Sequence, residues 1–207
     1  MTDFEISQRI LKTAHELFMQ FGFRSVGMDD IATRLGISKK TIYQHYADKD
    51  ELAVAAVKGE IEHSELCCSR DKELAKDAIH EMFLALEMVL EMFSRMNPSL
   101  LFDMQKYHPK AFAIIQKHKN DYIYSVIKEN LAWGIKEGLY RAEINIEIMT
   151  RFRVESMLMP FTNEFLSNLK STIAEMEEEM IIHYLYGLVT PKGYKLISKY
   201  QADRKIK

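Results

Sequence analysis

Residues 28–46 read Met28-Asp-Asp-Ile-Ala-Thr-Arg-Leu-Gly-Ile-Ser-Lys-Lys-Thr-Ile-Tyr-Gln-His-Tyr46, and their spacing decides the fold. Ile31 and Leu35 lie four apart, so one helix face carries both. Ala32 between them is small enough for a second helix to cross closely. Gly36 follows, where a chain leaving a helix commonly takes a left-handed residue. Ser38 is a good N-cap, and Lys39-Lys40-Thr41-Ile42-Tyr43 opens the next helix. The pattern buries Ile37 and Ile42 and turns Lys39, Lys40, Thr41, Tyr43, Gln44 and His45 outward. It predicts a helix-turn-helix whose second helix presents cations, donors and an aromatic ring, the groups that read a DNA groove.

Upstream, Ile10, Leu11, Ala14, Leu17, Phe18 and Phe21 repeat at three and four residues, which predicts a helix from about Phe4 to Phe21, ended by Gly22. Downstream, Asp48-Lys-Asp-Glu51 is a variant capping box opening a helix to about Glu65, the element that leads out of the three-helix unit. The remainder reads as longer helices: Glu73 to Met96, Ser99 to Lys106, His108-Pro109 onward to about Lys136, Ile146 to Leu169 with a bend at Pro160, and a last one capped by Ser171 and running to Leu188. Gly138 to Asn145 is a turn-rich connection. Thr190-Pro-Lys-Gly193 is expected to stop the last helix and leave a basic, polar tail.

The chain has 207 residues, 47% hydrophobic and 28% charged, with 8 Gly and 4 Pro, so helices are expected almost throughout. Its net charge of -2 is not that of a histone-like binder, but a local cationic face depends on placement rather than on the sum. No signal peptide or membrane span is expected, hence no membrane partner and a cytoplasmic location. The adjacent Cys67 and Cys68 are read as reduced thiols. The fold class is all-α: a helix-turn-helix domain over 1–50 and a larger helical domain over 51–207.

Over residues 4 to 55 the chain resembles the TetR (tetracycline-repressor) family of bacterial transcription regulators. Phe21-Gly22-Phe23, Met28-Asp-Asp-Ile-Ala32, Leu35-Gly-Ile-Ser38, Thr41-Ile-Tyr43 and Tyr46-Ala-Asp-Lys-Asp-Glu-Leu52 carry the likeness. The resemblance implies a homodimer that binds double-stranded operator DNA, and a C-terminal domain for ligand binding and dimerisation. It implies that Ser38, Lys39, Lys40, Thr41, Tyr43, Gln44, His45 and Lys49 form the DNA-binding set, with Lys39 and Lys40 towards bases and Thr41, Tyr43 and Lys49 towards phosphates. Two positions depart from the family pattern. Gly27 replaces a capping hydroxyl, leaving only a backbone N–H for phosphate. Asp29 stands where some members place a cation; a carboxylate there can accept from cytosine N4 but cannot bind guanine or phosphate.

The expected inducer is a small, hydrophobic molecule of unknown identity. Met82, Phe83, Phe93, Met104, Tyr107, Tyr122, Trp133, Met157 and Phe161 are the candidate pocket, because Met and aromatic side chains suit an adaptable apolar cavity and a plain core alike. Met157, Phe161, Phe165, Met176, Met180 and Tyr184 are the candidate dimer interface. No catalytic grouping, cofactor or metal is expected, and the chain is not read as an enzyme. Two rivals remain: a helix-turn-helix protein without a small-molecule ligand, and a helical di-metal enzyme using Glu60/His63 and Asp77/His80.

Overall fold

The computed structural model describes residues 2–162 and 170–205. The helices are α1 (Asp3–Phe21), α2 (Met28–Leu35), α3 (Lys39–Tyr43), α4 (Lys49–Leu74), α5 (Ala78–Ser94), α6 (Leu100–Tyr107), α7 (Pro109–His118), α8 (Tyr124–Lys136), α9 (Ile146–Ser156), α10 (Ile173–Leu188) and α11 (Pro191–Lys205). A π-helical turn, Lys119–Ile123, joins α7 to α8, and a 3₁₀ turn, Met159–Phe161, follows α9. The architecture is all-α, as the periodicity predicts. Thr172 rather than Ser171 caps α10, in a reciprocal box with Glu175. The predicted helix over 146–169 ends at Ser156, and Pro160 sits inside the 3₁₀ turn; residues 163–169 lie outside the described residues.

Two compact units emerge. The first comprises the chain up to Ser64 together with Arg95–His118. It is larger than the 1–50 expected from the motif, because α6 and α7 pack on the N-terminal helices. The C-terminal carbonyls of α1 need donors from outside the helix. Asn97 supplies them: its backbone N–H donates to Met19 O at 2.7 Å and its side chain to Gln20 O at 3.5 Å. The same Asn97-Pro98 that breaks the chain after α5 therefore ties α6 to α1. Ile10, Ala14, Phe18, Ile31, Ile42 and Leu52 form the centre of this unit's core, joined by Leu100, Met104 and Ala111.

The second unit comprises Glu65–Ser94 and the chain from Lys119 on. Its core gathers Ile79, Leu86, Leu131, Leu139, Tyr140, Val154, Leu185 and Ile197. Inside that core lies a polar network. Asn130 donates to Ala78 O (2.8 Å) and Glu81 Oε2 (2.7 Å), and Tyr140 OH donates to Asn130 Oδ1 at 3.1 Å. Burial, only partly offset by Asn130, pushes the Glu81 carboxyl above its ordinary pKa. Arg153 of α9 donates to Glu177 of α10, with both side chains almost fully buried.

The segment after Val189 is a helix, not a tail. Thr190-Pro191 reads as a stop, yet proline is also favoured at a first helical turn, and Thr190 Oγ1 accepts from the Gly193 N–H. Ile197 and Tyr200 then bury against the second unit, and Tyr200 OH donates to Asp77 Oδ2 at 2.6 Å.

Gly134 packs directly under the Tyr140 ring; a Cβ there would lie 2.1 Å from Cδ2. Gly134→Ala should therefore cost about 1–3 kcal/mol of stability by overpacking, measured by urea unfolding. Glu81 supplies a pH test. Its raised folded pKa means that its contribution is fully present below the unfolded value and is lost as pH rises through the folded one. Glu81→Gln should thus gain on the wild type as pH rises from acid to neutral, and the gap should close again on acidification.

Candidate nucleic-acid interface

The helix-turn-helix is built by a cap on either side of the turn. Gly36 takes the left-handed conformation, φ 67°. Its N–H donates to Thr33 O (3.2 Å) and that of Ile37 to Ala32 O (3.1 Å), which satisfies the last carbonyls of α2. Ser38 then opens α3: its Oγ accepts from the Thr41 N–H at 3.1 Å and lies 2.9 Å from Thr41 Oγ1. Ile42 is completely buried, so the rest of α3 faces out.

Lys39, Lys40, Tyr43 and Gln44 are all exposed, and Thr41 is half-buried. Tyr43 is 46% exposed, so its ring is not a core element. These side chains share one surface. His45 does not join them fully: its side chain is only 7% exposed, with Nε2 3.5 Å from Asp3 Oδ1. Lys49 is half-buried too. Its ammonium donates to Phe23 O and lies over the Phe18 ring at 5.9 Å, and burial lowers its pKa despite nearby carboxylates. The sequence pattern turns His45 outward and the family resemblance places Lys49 towards phosphate, whereas packing has already engaged both.

The two departures at α2 also acquire partners. The Gly27 N–H donates to Asp30 Oδ2 at 2.7 Å, so a side chain of α2 itself claims the backbone donor expected to be open for phosphate. Asp29 Oδ2 accepts from Lys39 Nζ at 2.8 Å, which pushes the lysine pKa up. That pairing was not legible in either motif alone, because the residues sit ten apart on different helices.

The candidate pocket residues are divided between the two units. Met104 is 2% exposed in the core of the first unit, and Tyr107, also in that unit, is exposed with Lys106 Nζ over its ring. The other seven belong to the second unit. Met82 and Phe83 are buried in its core, and Trp133 and Met157 pack against it. Phe93 meets Phe161 edge-on at 5.1 Å, and Tyr122 OH donates to Glu65 O at 3.2 Å. A groove of about 410 Å³ lies instead on the first unit, lined by Leu17, Phe21, Ser25, Val26, Asp30, Thr33 and Arg34.

Of the candidate dimer residues, Phe161, Met176 and Tyr184 are 7%, 5% and 4% exposed within their own unit, leaving little area for a partner. Met157 and Met180 are partly covered, and Phe165 lies outside the described residues. The apolar side chains left open on α9 are Ile148 and Phe152, 63% and 54% exposed. The proposed metal pairs are engaged elsewhere and fall in different units. Glu60 sits 3.0 Å from His15, which holds its carboxyl below the usual range, and Asp77 caps α5.

A short helix with a polar, cationic outer face, held by a left-handed turn against a second helix, defines a helix-turn-helix DNA-binding protein. Comparisons with known proteins agree. Residues 10–56 match the family described as bacterial regulatory proteins, tetR family. The chain is 26% identical over 197 residues to the HTH-type transcriptional regulator YvaF of Bacillus subtilis, covering 89% of this chain and 96% of the relative. It is 38% identical over 55 residues to the transcriptional activator FasR of Mycolicibacterium smegmatis, which spans 27% of this chain and 25% of FasR. Among solved structures, a TetR-family regulator from Agrobacterium tumefaciens superimposes with a TM-score of 0.73 at 15% identity, covering 91% of this chain and all of that one. A regulator from Saccharomonospora viridis, solved in complex with choline, gives 0.68 at 17% identity over 90% and 98%. Residues 10–56 thus carry a DNA-binding domain of the TetR family, and the relative and the solved structures matched over most of the chain are themselves transcriptional regulators. Among the described residues no helix is long and apolar enough to cross a membrane.

Ser38→Ala removes the side-chain cap of α3. It should cost about 1 kcal/mol and speed hydrogen exchange at the Thr41 amide.

Proposed function

We propose that this regulator acts in the cytoplasm as a homodimeric repressor that binds operator DNA through α3 and leaves it when a small apolar inducer occupies the second unit. The observation that carries the DNA reading is the outward set Lys39, Lys40, Tyr43 and Gln44 on a helix whose only buried residue is Ile42. In a dimer, two such helices read half-sites about one duplex turn or a small multiple apart. Thr41 and Tyr43 act as phosphate donors that set register, and Lys39 reaches base edges. Lys40 adds a cation to this face. Lys49 acts mainly by holding the Phe23 carbonyl, so its route to phosphate is secondary.

For the sensor, the support is a core rich in Met and aromatic side chains, with Met82, Phe83, Trp133 and Met157 grouped around it. The same fold holds choline in the S. viridis protein, so it can accommodate a small molecule. An inducer works only through its different affinity for the DNA-competent and DNA-free states, typically about 1–3 kcal/mol of coupling. For the dimer, the support is the open apolar pair Ile148 and Phe152 on α9.

In gel-shift titrations at fixed salt, Tyr43→Phe should weaken binding about fivefold on every duplex, the value of one phosphate hydrogen bond. Unchanged affinity for both Tyr43→Phe and Lys40→Ala would remove the DNA assignment. Apolar compounds that displace the protein from its duplex support sensing; a protein that no such compound displaces is a helix-turn-helix binder without a small ligand. Phe152→Glu should yield folded monomers in sedimentation, whereas Phe161→Glu should unfold the second unit, since that ring is covered.

A further inference from the structure

Asp29 and Lys39 come from the two helices of the motif, and their side chains meet at 2.8 Å while remaining 76% and 43% exposed. An ion pair so open to water contributes little to folding, so stability does not account for it. Each residue stands at the head of its helix, Lys39 first in α3 and Asp29 second in α2. Alone, Lys39 would be a general phosphate-binding cation. Beside Asp29 its charge is offset, and a phosphate approaching it also meets a carboxylate. The ammonium has three N–H bonds, of which Asp29 takes one. What remains is two donors on Lys39 and, beside them, a carboxylate with Oδ1 still able to accept.

We propose that Asp29 and Lys39 form one unit that reads a single G·C base pair in each operator half-site, Lys39 donating to guanine and Asp29 accepting from cytosine N4. The inference rests on the DNA-binding reading above. The major-groove edge of G·C presents two acceptors, guanine N7 and O6, followed by the cytosine amino group. Two donors followed by an acceptor match that order. An A·T pair presents acceptor, donor, acceptor and methyl, so in the same register one lysine N–H would face the adenine N6 donor and the carboxylate would face the thymine O4 acceptor. The order also distinguishes G·C from C·G. Asp29 has a second effect: by engaging Lys39 it withholds a cation from non-specific phosphate contact.

The test uses the full chain. Duplexes are selected from a randomised pool at fixed salt, and single-base variants of the best site are then titrated with wild type, Asp29→Ala, Lys39→Ala and the double variant. The wild type should fix a G·C pair at one position of each half-site. Each single variant should lower discrimination there about tenfold, and the double variant no further, since one unit is lost once. Asp29→Asn should steepen the dependence of log affinity on log salt by about one unit for each lysine released to phosphate. Circular dichroism should be unchanged throughout, because both side chains are exposed. Retained preference in both single variants, or loss at two different base positions, overturns the inference and leaves the DNA reading standing. A wild type that retains no duplex overturns both.

Discussion

A helix of five residues cannot sustain itself in water, because its nucleus fixes several residues for one or two hydrogen bonds. α3 exists because Ile42 is driven completely into the core formed by Ile10, Ala14, Phe18, Ile31 and Leu52. The remainder of the DNA-reading surface depends on that single burial. With Ile42 inward, the helical period turns Lys39, Lys40 and Tyr43 outward, and the Gly36 turn fixes where α3 leaves α2. The angle between the helices then decides whether Asp29 can reach Lys39.

The first unit shows how such a small reader is made rigid. By themselves α1 to α3 bury limited apolar area, and α6 and α7 extend it with Leu100, Met104 and Ala111. Polar ties accompany the packing: Asn97 on the end of α1, and His108 bonded to Asp50 at the head of α4. Lys49 belongs to the same set of ties, since its ammonium is held by the Phe23 carbonyl. A lysine that the family resemblance places at a phosphate-facing position is thus also a brace within the domain.

The second unit is organised differently. Its helices enclose Glu81, Asn130 and Tyr140 in a chain of hydrogen bonds, and Arg153 and Glu177 in a nearly dry ion pair. Buried polar groups of this kind are costly when one partner is removed, since the other is left without water. The π-helical turn at Lys119–Ile123 lies in this unit as well, with the Lys119 side chain almost buried and its ammonium 2.9 Å from Glu155.

Periodicity and capping chemistry were enough to determine the all-α class, the placement of α1 to α3, the left-handed Gly36 and the outward turn of Lys39, Lys40, Tyr43 and Gln44, because each depends on residues within a few positions of one another. Where the same local signal has two meanings, the sequence misleads: Thr190-Pro191 reads equally as a stop and as the start of α11, and only the burial of Ile197 and Tyr200 selects between them. Long-range partners were out of reach for the same reason. The joining of 95–118 to the N-terminal helices, the Asp29–Lys39 pair, the engagement of His45 and Lys49, and the place of Met104 in the core of the first unit all depend on side chains far apart in the chain. Helical spacing says which face of an element is apolar. Only the packed structure says what that face meets.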